Sequence, residues 1–228
     1  MPVREIPRNR RSLTGLVSVH ADEPQVPFES SLERDFVLLS EPDSRVQKIE
    51  AQPVRIPFKD GNVVRFYTPD FLVLFHPAAA IGETLRSRLV EVKYTADLRA
   101  NWADYVPKFR AAHRYAKSRG WAFLIRTERH IRNDELRNRT FLKSYRYSEV
   151  PFHDQRLVLD ALYEKGTASP QALIEAMGED FSRRAYLLHV VWYLVANGFI
   201  GADLCKPLTM SSKLTNLEPA WELVGDEE

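Results

Sequence analysis

Two short stretches decide the fold of this chain: Thr68-Pro69-Asp70 and, about two strands later, Val90-Glu91-Val92-Lys93. Residues two apart in a β-strand point to the same face, so Glu91 and Lys93 project together while the valines project into the core. If the strand that carries Asp70 lies alongside, two carboxylates and an ammonium meet at one spot. Such a cluster suits a hard divalent cation, which prefers oxygen ligands. The competing interpretation is an amphipathic strand with a salt-bridged surface.

The order of these residues is typical of the core of a metal-dependent nuclease. Hydrolysis of a phosphodiester needs an activated water, neutralised charge on phosphorus and a stabilised leaving oxygen, and bound Mg²⁺ contributes to all three. Asp70 and Glu91 are the expected direct ligands, and the backbone carbonyl of Val92 is a further candidate. Lys93 is expected to orient the water or to stabilise the charge of the transition state. We expect Mg²⁺ as the cofactor, with Mn²⁺ able to substitute.

The composition fits a cytoplasmic protein of one or two domains. The 228 residues include 44% hydrophobic and 28% charged side chains, which is ordinary for a globular protein. The net charge is only +1, so nucleic-acid binding must come from local patches. The single cysteine, Cys205, excludes an intramolecular disulfide and a cysteine zinc site. No apolar run reaches transmembrane length and the start lacks the hydrophobic segment of a signal peptide, so no membrane association is expected.

The first 146 residues predict an irregular arm (1–27) followed by a nuclease domain (28–146). The arm contains four prolines and little periodicity. In the domain, the hydrophobic spacing predicts helices over 30–39 and 102–119. Apolar, β-branched segments predict strands over 46–58 (broken by Pro53), 63–75, 86–94 and 121–126, with a hairpin turn at Lys59-Asp60-Gly61-Asn62. This order predicts an α/β fold with a mixed sheet flanked by helices.

Two basic segments are candidates for DNA contact. The arm carries Arg4, Arg8, Arg10 and Arg11 against a single acid, Glu5. A solvated tail and a DNA-touching arm fit this pattern equally well. The helix predicted over 102–119 has a basic surface formed by Lys108, Arg110, Arg114, Lys117 and Arg119. A solvated helix face is the usual explanation of such a surface, and phosphate binding is the alternative.

The composition changes near residues 145–151, and residues 147–228 predict a separate, small α+β domain. Helices are predicted over 152–165, 170–177 and 181–196, the second with Ser169 as its cap and Pro170 at its first position. The apolar segments 199–204 and 208–210, together with Leu214, predict a small β-wing. Three helices and a wing make a winged-helix-like module. A plain helical cap on the nuclease domain is the alternative.

Glu33 is a fourth candidate for the site, because it lies early on the helix that precedes the strands. A local role competes, since Ser30-x-x-Glu33 is also a capping-box sequence. The two roles need opposite orientations of one side chain, because a capping glutamate turns back to its own backbone. The local sequence favours capping. Gln52 is a weaker candidate, with an exposed polar strand residue as the alternative.

These residues together carry a resemblance to a known family. The ordered stretches are Phe28-Glu29-Ser30-Ser31-Leu32-Glu33-Arg34-Asp35, Gln52-Pro53-Val54, Thr68-Pro69-Asp70-Phe71 and Val90-Glu91-Val92-Lys93. This set resembles the TnsA-type endonuclease subunit of heteromeric transposases, within the PD-(D/E)XK, restriction-endonuclease-like superfamily. The resemblance covers about residues 10–130. It implies a restriction-endonuclease-like fold and the catalytic set Glu33, Asp70, Glu91 and Lys93, with Glu33 near the metal.

The resemblance also implies a role in cut-and-paste DNA transposition. A subunit of this kind cuts the strand at the 5′ ends of the transposon, while a TnsB-like integrase-type transposase cuts and joins the 3′ ends. A TnsC-like AAA+ ATPase is the other implied partner, and the location implied is the bacterial cytoplasm, associated with the nucleoid. Where Glu91 stands, the best-known member has an amide; the carboxylate here restores the general superfamily pattern.

Two other functions stay open from the sequence. The first is a stand-alone PD-(D/E)XK nuclease of a phage, restriction or repair system. The second is a non-catalytic DNA-binding or assembly module that uses a degenerate nuclease fold as a scaffold. The intact Asp70, Glu91 and Lys93 argue against the second. Neighbouring genes for an integrase-like transposase and an AAA+ ATPase would argue against the first.

Overall fold

The computed structural model describes residues 14–17, 25–76, 85–178 and 180–217. The chain forms two compact units, Met1–Arg132 and Asn133–Glu228, which we call the amino-terminal and carboxy-terminal units. The sequence analysis placed the division after residue 146, whereas the observed division precedes helix Asp134–Arg146. This helix belongs to the second unit because Phe141 packs edge-on against Trp192, with ring centroids 5.5 Å apart.

The amino-terminal unit is built around a mixed sheet. Its described strands are β1 (Gly15–Val17), β2 (Val26–Phe28), β3 (Val46–Ala51), β4 (Ile56–Asp60), β5 (Val63–Tyr67), β6 (Phe71–Phe75), β7 (Arg88–Val92) and β8 (Ala122–Arg126). The main sheet has the order β3-β6-β7-β8. Its first two pairings are antiparallel and the β7–β8 pairing is parallel. The predicted mixed sheet is thus confirmed, and β4–β5 form a separate hairpin.

Helices cover both faces of this sheet. The described helices of the unit are α1 (Ser31–Ser40), α2 (Thr95–Ala100), α3 (Trp102–Ser118) and α4 (Glu128–Ile131). Phe71 of β6 stacks on Phe36 of α1 with ring centroids 5.3 Å apart. Its neighbour Leu72 points the other way and joins the buried cluster that contains Phe109 of α3. The result is a mixed sheet flanked by helices, consistent with a restriction-endonuclease-like fold.

Two predicted strands are each divided in the structure. The strand predicted over 63–75 breaks at residues 68–70, between β5 and β6. The strand predicted over 46–58 is interrupted at residues 52–55, between β3 and β4, in agreement with the break predicted at Pro53. Both breaks contain a proline, which has no N–H to donate to a sheet ladder. The predicted hairpin turn is confirmed, with Gly61 at φ +59°. Asp70 therefore lies immediately before β6 and not inside a strand.

The sequence pattern did not predict some helices and strands of the amino-terminal unit. The arm predicted as irregular contains β1 and β2, which pair antiparallel and bury Val17, Val26 and Phe28. Strands of three residues are too short to show periodicity. Helix α2 was not predicted either. The arginines of the arm and the loop 77–84 lie outside the described residues.

The carboxy-terminal unit follows the predicted helices closely. It contains α5 (Asp134–Arg146), α6 (Phe152–Lys165), α7 (Pro170–Met177) and α8 (Phe181–Ala196), with strands β9 (Thr167–Ala168), β10 (Ile200–Ala202) and β11 (Leu214–Asn216). The bounds of α6, α7 and α8 match the prediction. As predicted, Ser169 caps α7: its hydroxyl accepts from the backbone N–H of Ala172 at 3.1 Å. Leu162, Leu173, Leu187 and Leu214 are fully buried in the core of this unit.

The predicted β-wing is only partly correct. β11 pairs antiparallel with both β10 and β9, which gives a three-stranded sheet in the order β10-β11-β9. The segment 208–210 is not a strand. Instead, the backbone N–H of Leu208 donates to Asn138 Oδ1, and Thr209 bonds to the nearby Ser212. Polar side chains thus hold this segment as a loop.

No helix in the described part of the chain is long and apolar enough to cross a membrane. Cys205 is exposed and free. The acidic end, 225–228, lies outside the described residues.

Candidate active site

Asp70 is anchored where three strands meet. One of its carboxylate oxygens, Oδ2, accepts from the backbone N–H of Val92 at 2.7 Å. Its backbone carbonyl accepts from the N–H of Gln52 at 2.8 Å, just beyond the end of β3. These two bonds hold the start of β6 between β3 and β7. The Asp70 side chain is therefore fixed by the sheet and stays 19% exposed.

Glu91 is a buried carboxylate, with a side chain only 2% exposed. Its Oε2 accepts from the hydroxyl of Tyr67 at 2.5 Å. Burial, together with the neighbouring Glu91 charge, raises the pKa of Tyr67 above its usual range. The hydroxyl therefore stays protonated and remains a donor. A buried carboxylate without such partners would be strongly unfavourable.

The ammonium of Lys93 lies among three oxygens. Its Nζ is 3.1 Å from Glu91 Oε1 and 3.6 Å from Asp70 Oδ2, and it donates to the carbonyl of Val92 at 3.2 Å. Burial works to lower the pKa of Lys93, but the charges of Asp70 and Glu91 outweigh it and raise that pKa. Lys93 therefore stays charged at neutral pH and offsets the two carboxylates. The structure thus brings together the three residues that the strand spacing singles out.

The pKa of Asp70 is also shifted by its surroundings. Burial and the nearby carboxylate of Glu91 raise the pKa of Asp70 well above its ordinary value, while Lys93 opposes the shift. A site with two adjacent carboxylates and one ammonium holds excess negative potential. Such a site favours a bound cation.

Glu33 borders this group, but its carboxylate is held by its own helix end. Its Oε2 accepts from the backbone N–H of Glu29 at 2.7 Å, and its Oε1 accepts from the Ser30 hydroxyl at 2.9 Å. The Ser30 hydroxyl in turn accepts from the Glu33 N–H at 3.2 Å. Burial raises the pKa of Glu33, and the charge of Lys93 opposes that shift, so Glu33 interacts electrostatically with the site. The capping geometry favoured by the local sequence is formed; a catalytic role for Glu33 stays a prediction.

The three clustered residues line a cleft of about 780 Å³. One wall is the β4–β5 hairpin, through Phe58 and Arg65, and another is α3, through Pro107 and Lys108. Lys108 is half-buried, and burial lowers its pKa. The volume of the cleft exceeds that of a single ion, and the Asp70 carboxylate in its lining is partly exposed.

Tyr67 is a residue of the cleft that no local sequence pattern reveals, whereas Gln52 is already a weaker candidate from the sequence. Tyr67 lies 24 residues from its partner Glu91, and Gln52 lies 23 residues from its partner Glu29. A tyrosine in a strand is ordinary, and only the pairing of the hairpin with the sheet brings its hydroxyl to Glu91. The Tyr-Thr-Pro-Asp order places Tyr67 near Asp70 but does not indicate its hydrogen-bond partner.

The donor set fits a magnesium-like cation. Within the described ranges, no group of three or more His, Cys, Asp or Glu side chains is arranged to hold a metal ion. Here the oxygens come from Asp70, Glu91 and the Val92 carbonyl, all of which approach the Lys93 ammonium. Mg²⁺ commonly binds through one or two carboxylates and keeps several waters. Two carboxylates and one neutral carbonyl oxygen therefore suit Mg²⁺ better than they suit zinc.

The fold and the cleft together define a nuclease domain of the restriction-endonuclease-like class. More particularly, residues 43–128 match the family model described as TnsA-like endonuclease N terminal. A TnsA-like endonuclease domain is therefore present in the chain, as the sequence resemblance predicted. The matched range contains Asp70, Glu91 and Lys93 but not Glu33. No curated protein matches the chain. The family match suggests an endonuclease subunit of a transposase acting on DNA.

Proposed function

We propose that this chain is the metal-dependent DNA endonuclease subunit of a TnsA/TnsB-type transposase. It would cut the 5′ ends of the transposon during cut-and-paste transposition. The observation that carries the proposal is the approach of Asp70, Glu91 and Lys93 at one cleft of a TnsA-like endonuclease domain. A salt-bridged strand surface accounts less well for this arrangement, because Glu91 is almost fully buried.

Asp70, Glu91 and the carbonyl of Val92 would hold the cation, which we expect to be Mg²⁺, with Mn²⁺ as a substitute. When bound, a divalent cation acidifies a water and neutralises charge on the phosphate. Tyr67 keeps Glu91 oriented through its hydroxyl. The Val92 N–H does the same for Asp70. Both ligands are thus positioned before any substrate arrives, which lowers the cost of reorganisation.

Lys93 would stabilise the negative charge that develops on the phosphate. Its raised pKa keeps it an ammonium, so it acts through charge and hydrogen bonding and not as a base. In the reaction a water oxygen forms the new bond to phosphorus, one bond from phosphorus to a sugar oxygen breaks, and that oxygen takes a proton. The attacking water gives one proton to bulk water, which also supplies the proton that the departing sugar oxygen takes.

DNA would approach along a basic groove beside the cleft. This groove, of about 630 Å³, is lined by Lys59 of the hairpin and by Arg110 and Arg114 of α3. Phe58 and Pro107 line both the groove and the cleft, so the two are adjacent. Cationic side chains in such a position can bind DNA phosphates. Contacts with phosphates do not distinguish one base sequence from another. We therefore favour phosphate binding for this part of the α3 surface.

The carboxy-terminal unit would serve recruitment. Its order, α6-β9-α7-α8-β10-β11, with a sheet that joins β9 to the last two strands, supports a winged-helix module. Arg183, near the start of α8, is paired with Asp154 at 3.2 Å, and Arg184 donates to the carbonyl of Gly178. Neither arginine is fully available for DNA. We propose that a TnsB-like transposase and a TnsC-like ATPase bring the subunit to the transposon ends.

The test is cleavage of transposon-end DNA by the purified chain with its partner subunits. Asp70→Ala should abolish cutting and leave the circular dichroism spectrum unchanged, because it removes a ligand and little core volume. Lys93→Ala should also abolish cutting but keep Mn²⁺ binding in a calorimetric titration. Asp160→Ala, which removes an exposed carboxylate of α6 that does not line the cleft, is the matched control and should retain activity.

Chelation should stop the wild-type reaction, and Mg²⁺ or Mn²⁺ should restore it. Undiminished nicking by Asp70→Ala would refute the assignment of the site. Robust, end-specific cleavage by the isolated chain at physiological salt would instead favour a stand-alone nuclease.

A further inference from the structure

Gln52 combines two unfavourable features at one position. Its backbone has φ +48°, and it is the non-glycine residue with positive φ among the described residues. The left-handed region is costly for a residue with a long side chain, and such strain persists only where surrounding contacts enforce it. Here the enforcing contact is the bond from the Gln52 N–H to the Asp70 carbonyl, 2.8 Å long.

The side chain of Gln52 presents a carbonyl oxygen without a donor. Its Nε2 donates to Glu29 Oε1 at 3.0 Å. A carboxylate only accepts, so the nitrogen must face Glu29 and the amide cannot be turned around. Its Oε1 is buried and has no hydrogen-bond partner. An unsatisfied buried acceptor is unfavourable, so the position suggests a partner beyond the chain itself.

Gln52 lies in the wall of the same cleft as the carboxylates. Gln52 is 8% exposed and lines the cleft together with Asp70, Glu91 and Lys93. The strained backbone holds the residue beside Asp70, and the bond to Glu29 fixes the amide plane. Gln52 is thus held rigidly at the point where β3 approaches the site.

We infer that Gln52 supplies, through its side-chain carbonyl oxygen, a neutral oxygen ligand to the divalent cation held by Asp70 and Glu91. This inference rests on the proposed function. Amide carbonyls are ordinary ligands of hard cations. A neutral ligand adds no further charge to a site that already holds two carboxylates and one ammonium. A third carboxylate at this position would add repulsion next to Glu29.

The test is calorimetric titration of the full chain with Mn²⁺ and with Mg²⁺, without DNA. Gln52→Met keeps the length of the side chain and removes its oxygen, and it should weaken cation binding about tenfold. Gln52→Gly also removes the oxygen, and glycine adopts the left-handed backbone without strain. This variant should therefore bind the cation as weakly as Gln52→Met, and it serves as the test if Gln52→Met folds poorly. Gln171→Met, on an exposed position of α7, is the matched control and should bind like the wild type.

The outcomes separate this inference from the proposed function. Weaker binding by both Gln52 variants, with wild-type binding by Gln171→Met, supports the inference. Wild-type affinity in both Gln52 variants, with binding lost in Asp70→Ala, overturns the role of Gln52 and leaves the proposed function standing. Binding by Asp70→Ala as tight as that of the wild type overturns the metal centre, and the role of Gln52 with it.

Discussion

The hydrogen bond between Tyr67 and Glu91 offers the sharpest test of how the site is held together. Tyr67→Phe removes only the hydroxyl that donates to Glu91 Oε2 at 2.5 Å. The ring stays, and with it the edge contact to Phe109, whose centroid lies 6.2 Å away. The change therefore isolates one bond to a buried carboxylate and creates no large cavity.

The expected loss in the free energy of unfolding follows from the burial of the Glu91 carboxylate. A hydrogen bond to a charged group contributes about 1.5–3 kcal/mol, and a buried acceptor that loses its donor is at the upper end. Lys93 still faces the other oxygen of Glu91, which keeps the loss within that range. With a urea m-value of about 2 kcal/mol per M, the midpoint of unfolding should fall by about 1 M.

Tyr105→Phe is a matched control within the same unit. Its hydroxyl also donates to a carboxylate, Asp97 Oδ2, at 2.7 Å, and its ring stacks on the same Phe109. Asp97 is partly exposed, so water replaces the lost donor. Tyr105→Phe should therefore lower the free energy of unfolding by only about 0.5–1 kcal/mol.

The assay is hydrogen–deuterium exchange of the β7 peptide across urea concentrations, with chelator at pH 7. This peptide reports unfolding of the amino-terminal unit alone. Equal midpoints for Tyr67→Phe and Tyr105→Phe would refute the claim that Glu91 is a buried charge that depends on Tyr67. Tyr67→Phe should also slow cleavage, because Glu91 loses its orientation.

Three further predictions concern Glu33, pH and the second unit. Glu33→Gln should abolish cleavage yet barely change the Tm, since Gln can still accept from the Glu29 N–H; an active variant would restrict Glu33 to capping. The Tyr186 hydroxyl and Arg183 lower the pKa of Asp154 below its ordinary 3.8, so this group stabilises the fold above that pH and the effect fades as pH falls through the lowered value. Asp154→Asn should therefore lower the Tm at pH 7, and the difference in Tm from the wild type should shrink as the pH falls below 3.8 through the lowered pKa of Asp154; a difference that widens in acid would contradict the assignment. A chain ending at Arg132 should fold and stay soluble but lose recruitment to transposon ends, measured by DNA co-precipitation with the partners; full recruitment would exclude the carboxy-terminal unit from that role.

Local sequence determined the bounds of α6, α7 and α8 in the carboxy-terminal unit to the residue. Caps and turns act within a few positions, as in the bond from Ala172 to Ser169, and so they can be recognised without the fold. Helix α5 was missed because it buries only Asn138 and Leu142, which leaves almost no apolar periodicity to detect. The division between the units was displaced for the same reason.

The two strand breaks show what local sequence patterns cannot predict. β5 and β6 form one apolar run in the sequence, but their partners differ: β5 pairs with β4, and β6 pairs with β3 and β7. Proline marked the place of the break, and only strand pairing decided that both sides remain strands in different sheets.

The sequence by itself determined the chemistry of the site: the identity of Asp70, Glu91 and Lys93, and the period-two spacing that points the last two to one face. Only the tertiary structure decided their surroundings. It buried Glu91, gave it the Tyr67 hydroxyl, and placed Gln52 beside Asp70 with one oxygen unpaired. Side-chain spacing within a strand follows from local backbone geometry. Burial and partners depend instead on which distant segments pack together, and no local pattern encodes that.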